Sequence, residues 1–236
     1  MDGINFTLTD DQRMLQDLAR DFARNEIAPA AEHYDQTSEF PWPILKKAQA
    51  AGLVGVNIPA EYGGAGASLQ EECLVGEALS WGCTGISTAL LINNLACLPV
   101  VIAGSDEQKK TWLTRLTAGG QLAAYGVTEP AAGSDVAGLQ TTAVRKGGEY
   151  VIKGSKTFIS NASVADFVVV FAYTDKSQKH RGMSAFVVER ERPGFSVSKK
   201  FDKMGQRASD TAEITLDDVA VPECNRLGRE GAGFML

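Results

Sequence analysis

Two short stretches concentrate the residues able to do chemistry. Residues 125–138, YGVTEPAAGSDVAG, put hydroxyls and small side chains where a core strand would carry bulk. Thr128 and Ser134 offer hydroxyls, and Gly133 lets a ligand approach backbone N–H groups. A strand opening into such a loop suits a polar ring edge and a phosphate; a strand ending in a Pro-containing turn accounts for the same residues. Glu129 has the chemistry of a general base, but Pro130 after it marks a turn residue with a structural task. In residues 156–161, KTFISN, Phe158 and Ser160 stand two apart. An extended strand would put both on one face, against a flat ring. A core Phe beside an exposed loop Ser fits equally.

Other chemistries find no support. The sequence has no GxxxxGK[ST] or GxGxxG phosphate loop, no HExxH and no GxSxG. The glycine-rich EYGGAGAS, residues 61–68, falls between helices and reads as a loop. His33 and His180 are the only histidines, which excludes a His-rich metal site, and neither suits a Ser-His-Asp triad. Cys73, Cys83, Cys97 and Cys224 lack metal-ligand spacing; three stand in apolar helical surroundings and read as small core residues.

The chain has 236 residues, 44% of them hydrophobic, enough for a core without staples. With 23 basic and 29 acidic residues the net charge is −6, which argues against nucleic acid as a partner. The acidic start, MDGINFTLTDDQ, lacks the basic and apolar regions of a signal peptide. The longest apolar run, residues 85–104, contains Asn93, Asn94 and Pro99, so a buried helix is expected there and no membrane span. A soluble protein of a reducing compartment is expected.

These stretches need elements to hold them. Thr9 with Gln12, Ser68 with Glu71 and Ser105 with Gln108 are capping boxes that predict helix starts. Leu15, Leu18, Phe22 and Ile27 recur at helical spacing, and Pro29 is expected to close that pattern. Further helices are predicted over 43–51 and 85–102. After Gly120 the period becomes alternating. TTAVRKGGEYVIKG predicts a hairpin, with Gly147 and Gly148 supplying positive φ in the turn. FVVVFAYT, GMSAFVVER, FSVSKKF and TAEITLDDVAVP follow as strands. The end, RLGREGAGFML, reads as the opening of another apolar helix.

YGVTEPAAGSD, then KTFISN, then DKMGQRASDTAEITLDDVAVP, at this spacing and after GLVGVNIPAEYGGAG, resemble the acyl-CoA dehydrogenase family across essentially the whole chain. The resemblance implies an α+β multidomain fold: an all-α domain over 1–120, an antiparallel barrel-like or sandwich β domain over 121–228, and over 229–236 the start of a C-terminal helical domain. It implies FAD as cofactor, lined by Tyr125, Val127, Thr128, Gly133, Ser134, Phe158, Ile159 and Ser160. Val127 and Thr128 would face the ring, Phe158 would pack on it (a position often Trp), and Ser160 (commonly Thr) would reach flavin N5. For the acyl-CoA substrate it implies Ser134 near the phosphates and, in the segment 175–184, His180, Arg181 and Ser184. KMGQRASDTAEI carries packing and assembly.

The implied reaction is α,β-dehydrogenation of an acyl-CoA to a trans-2-enoyl-CoA, as in fatty-acid β-oxidation, with electron transferring flavoprotein as electron acceptor and a homotetrameric assembly. The family's catalytic Glu lies in its C-terminal domain and matches nothing in 1–236. The chain is therefore expected to be a fragment or truncated product with little activity of its own. An acyl-CoA oxidase or flavin monooxygenase of the same fold, or a non-catalytic flavin- or acyl-CoA-binding module, is the alternative. A bacterial cytoplasm, or the mitochondrial matrix, is the expected compartment.

Overall fold

The computed structural model describes residues 7–236. Helix α1, Asp10–Phe22, starts at the Thr9 capping box, with Asp10 and Asp11 in its first turn facing the positive end of the helix dipole. Pro29 does not close the helical path. A π turn, Ala23–Ile27, and a 3₁₀ turn, Ala28–Ala30, carry it into α2, Ala31–Thr37. Pro29 sits where π-type bonding, whose last bond runs from the Ala28 N–H to the Ala23 carbonyl, gives way to the 3₁₀ segment, and its missing N–H falls at that change of pattern. Helices α3, Trp42–Ala50, α4, Leu69–Gly82, α5, Thr84–Ala103, and α6, Asp106–Thr117, follow. Both remaining capping boxes form, at Ser68 and Ser105.

By length and composition α5 is apolar enough to cross a membrane, yet 56% of its most apolar stretch is buried within the fold. It packs against α4, α6 and the first strand, and its two asparagines make specific ties. Asn93 Oδ1 accepts the Ala123 N–H at 2.8 Å, and Asn94 Oδ1 accepts that of Gly55 at 2.9 Å. Among the cysteines only Cys97, on α5, is buried; Cys73 and Cys224 are exposed and Cys83 half-buried, so three core cysteines is an overestimate. Cys73 lies across α4 from the buried Val75, Ala78 and Leu79, and Cys83 ends that helix.

The strands are β1, Ala123–Gly126, β2, Thr142–Lys146, β3, Glu149–Ser160, β4, Phe167–Tyr173, β5, Met183–Glu189, β6, Phe195–Val197, β7, Thr211–Pro222, and β8, Arg226–Leu227. They form one sheet in the order β6-β7-β3-β2-β4-β5-β8, with β1 also on β4. Most pairs are antiparallel as expected, but β1 runs parallel to β4, and β2 meets β4 in a parallel pairing of Thr142 with Tyr173, so the sheet is mixed. The β2–β3 hairpin has a two-residue loop in which Gly147 takes φ +64° and Gly148 stays out of the left-handed region. One positive φ at the first loop position fits a type II′ turn.

Strand β4 is buried along its whole length because both faces are covered. Phe167, Val169, Phe171 and Tyr173 share a core with α5 and α6; Val168, Val170 and Ala172 join Phe186, Val188 and Tyr150 in a second core. The period-two split places helices on one side and folded-over strands on the other. Phe186 is fully buried, its ring 4.9 Å from that of Tyr150. Phe186→Ala is expected to destabilise the protein by about 3–5 kcal/mol, seen as a lower urea midpoint with an unchanged slope.

Candidate functional site

The two stretches singled out in the sequence meet where β1 and β3 run out of regular pairing. Beyond Gly126 the chain leaves β4, and Glu129 and Ala132 exchange backbone hydrogen bonds of 2.9 and 3.1 Å around Pro130. Strand β3 slips in register against β7 between Lys156 and Ile159. Within that bulge Phe158 adopts φ +56°, a conformation unusual for an aromatic residue. Phe158 and Ser160 therefore do not share a face by plain alternation; the bulge turns Phe158 outward, 67% exposed, against Phe201 at 5.2 Å. The Thr157 N–H donates to the Thr128 carbonyl at 2.9 Å, joining the two stretches.

A cavity of about 610 Å³ opens between them. Tyr125, Val127, Thr128, Gly133, Ser134, Phe158, Ile159 and Ser160 all line it. So do residues that sequence reasoning left out: Ile92 and Leu95 of α5, Phe171 of β4, and Phe234 and Leu236. Among the described residues, the hydroxyls of Thr128, Ser134 and Ser160 have no hydrogen-bond partner, and nothing accepts from the backbone N–H groups of Thr128, Gly133 and Ser134. The cavity thus offers apolar walls with several free polar groups, the usual make-up of a small-molecule site. Asp135 is the one carboxylate in its lining. Burial pushes the Tyr125 phenol above its ordinary range, so it faces the cavity as a neutral hydroxyl.

Three residues expected to meet the substrate are not part of the cavity wall. Ser184 is fully buried; it accepts the Gly231 N–H at 2.9 Å and lies 3.1 Å from the Thr174 hydroxyl, so it is absent from the cavity wall. His180 is exposed on the loop before β5, its ring 5.5 Å from that of Phe234. Arg181 is exposed on the same loop. Among the described residues no group of three or more His, Cys, Asp or Glu is arranged to hold a metal ion.

Behind the cavity lies the most deeply buried ion pair among the described residues. Glu129 accepts from Lys156 Nζ at 2.7 Å, from Gln140 N at 2.5 Å, and from Thr141 N and Oγ1 at 3.1 and 2.5 Å. Its side chain is 4% exposed and that of Lys156 0%. Burial drives the Glu129 carboxyl upward, but the bonds from Lys156, Thr141 and Gln140 outweigh it and hold the group below the usual carboxylate range. Burial pulls the Lys156 ammonium down to about 8 against the opposing pull of Glu129. The expected structural task of Glu129 is this one. Lys156 falls in phase with the buried Tyr150 and Ile152 along β3, and it was missed, as was Thr141, because their tie to Glu129 spans residues 12 to 27 apart with no local pattern to announce it.

Comparison with known proteins follows the same division of the chain. Residues 9–120 match the family description "Acyl-CoA dehydrogenase, N-terminal domain", and residues 124–219 match "Acyl-CoA dehydrogenase, middle domain". The chain belongs to the acyl-CoA dehydrogenase family. It is 45% identical over 234 residues to a probable acyl-CoA dehydrogenase, YngJ, of Bacillus subtilis (strain 168), covering 98% of this chain and 61% of that protein. Butyryl-CoA dehydrogenase from Megasphaera elsdenii superposes with a TM-score of 0.92 at 37% identity, over 98% of this chain and 62% of its own. A glutaryl-coenzyme A dehydrogenase solved with glutaryl-CoA gives 0.94 at 38% identity, over 98% and 60%. The chain spans about 60% of the length of these relatives. The helical start and mixed sheet are those of acyl-CoA dehydrogenases.

Replacing Glu129 tests the ion pair directly. Glu129→Gln leaves a buried ammonium without its counter-charge and is expected to cost about 3–5 kcal/mol. Because the folded-state pKa of Glu129 is depressed, its contribution is complete above the unfolded value, about 4.3, and is lost as the pH falls through the lower folded value. Denaturation curves from pH 7 to 3 should therefore show a shallower acid loss for Glu129→Gln than for the unmodified chain.

Proposed function

We propose that this chain forms the cofactor- and thioester-facing part of an FAD-dependent enzyme that converts acyl-CoA to trans-2-enoyl-CoA. The observation that carries this reading is the convergence of Tyr125, Val127, Thr128, Gly133, Ser134, Phe158, Ile159 and Ser160 on one cavity whose hydroxyls are unpartnered. These residues suit a flavin: Val127 and Phe158 give flat apolar surface, Thr128 and Ser160 give hydroxyls for ring heteroatoms, and Gly133 with Ser134 gives N–H donors for phosphate oxygens. FAD, when bound, supplies the acceptor for a hydride equivalent. The chain's own part is to hold the ring edge, present the thioester and keep water from the reacting carbons.

The α-proton of a thioester is too weakly acidic for a carboxylate in water, so developing charge on the thioester oxygen needs preorganised donors. We place the proton acceptor outside residues 1–236, since the buried Glu129 is committed to Lys156 and Asp135 stands exposed to water, where a carboxylate is too weak a base for this proton. Electron transferring flavoprotein is the proposed electron acceptor, and oxygen consumption by the reduced protein would point to an oxidase in its place. His180 and Arg181 are proposed to meet the CoA moiety at the cavity's edge.

The direct test is to mix the purified chain with FAD, desalt it and record the visible spectrum. A retained flavin band of altered shape is expected, and flavin washed away completely would overturn the reading. Thr128→Ala with Ser160→Ala removes two hydroxyl bonds worth about 0.5–1.5 kcal/mol each, so retention should weaken by about tenfold. Acyl-CoA turnover by the 236-residue chain should stay below about 1 s⁻¹. A rate in the ordinary enzymatic range would put the proton acceptor within this chain, with Asp135→Asn the variant to identify it.

A further inference from the structure

Lys156 has more bonds than charge compensation requires. Its ammonium meets Glu129 Oε1 at 2.7 Å, and it also donates to the backbone carbonyl of Val127 at 3.1 Å. Val127 is part of the cavity wall, and Lys156 stands two residues before Phe158 in the opposite wall. The aliphatic stem runs beneath Gly126, where an added Cβ would lie 3.6 Å from Lys156 Cγ and 3.1 Å from Val168 Cγ1. The bulge between Lys156 and Ile159 frees Phe158 from the β7 ladder, so that wall is held at its two ends. One end is Ile159, packed in the second core, with Ser160 paired to Thr211 of β7; the other is the buried Lys156 side chain, beside the Thr157 backbone bond to Thr128. Glu129 in turn is fixed from the far side by Gln140 and Thr141.

We propose that Lys156 is the positioning residue of the cavity: anchored on Glu129, it holds the Val127 carbonyl and so sets the distance between the wall of residues 127–134 and the wall of residues 158–160. For its ligand this rests on the FAD reading; for its geometry it stands on the hydrogen bonds alone. An uncharged side chain of the same length would fill the same space, but it would leave the Val127 carbonyl without that donor and, among the described residues, the two walls with no hydrogen bond between them except the Thr157–Thr128 backbone bond. A merely structural pair would act through stability, and its removal would be felt evenly across the sheet.

Two variants separate these cases. Lys156→Met removes the ammonium, and Glu129→Gln with Lys156→Met removes both charges, so that no uncompensated charge stays buried. Amide hydrogen exchange on the ligand-free protein and titration with FAD are the two readouts. In the double variant exchange should quicken by about tenfold or more at residues 126–129 and 157–160 while β4 and β5 keep their protection, and in Lys156→Met those two stretches should quicken by about tenfold beyond the general loss that an uncompensated buried carboxylate causes. FAD affinity should fall about tenfold, about what the loss of one well-placed hydrogen bond in the binding wall costs. The double variant should recover much of its urea midpoint yet recover neither wall protection nor FAD affinity. Exchange that quickens evenly over the sheet, or FAD affinity that returns with stability in the double variant, overturns the proposal. If the unmodified protein takes up no FAD, the functional reading fails, and the exchange pattern alone decides the positioning role.

Discussion

The Glu129–Lys156 pair is the constraint on which the cavity depends. A carboxylate and an ammonium buried this deeply are tolerated only when nearly every lone pair and proton has a partner. Glu129 meets that demand with four donors, three of them from Gln140 and Thr141, and so closes the loop between 129 and 141 back on itself. The loop carries Gly133 and Ser134, whose N–H groups stay free because the closure uses the carboxylate and not their backbone. A polar knot behind the wall is what leaves the wall itself available to a ligand.

The cavity also sits on a seam. Helix α5 supplies Ile92 and Leu95 to one side, and the strands supply the other, so its shape depends on how the helical layer docks on the sheet. That docking is fixed by polar ties within an apolar contact. Asn93 holds the start of β1 and Asn94 holds the loop at Gly55, while Trp112 of α6 packs its ring 5.1 Å from Phe167 of β4. Apolar burial supplies the driving force, and the two amides specify the register.

Local chemistry made much of this legible in the sequence. Capping boxes at Thr9, Ser68 and Ser105 depend on residues three apart, and all three form. Alternation found the strands, and small residues with hydroxyls pointed to the cavity. What stayed hidden depends on contacts distant in sequence. The parallel pairing of β1 with β4 needs a crossover that no local pattern announces. The bulge at Phe158 arises from a slip against β7, more than fifty residues away, and Ser184 was drawn into a buried bond with Gly231. Pro29 misled because a π turn rearranges the helix ahead of it.

The left-handed backbone of Phe158 has a wider consequence. An exposed aromatic residue in that conformation carries strain of about 1–3 kcal/mol that its loose stack on Phe201 does not relieve. A search for more heat-resistant variants would favour Gly or Asn at this position, because both enter the left-handed region readily. Such a search would strip the ring from the lip of the cavity as it raised the melting point. Thermal robustness and the shape of the cavity therefore pull this one residue in opposite directions, and a redesign that keeps the lip of the cavity has to leave it out of the stability objective.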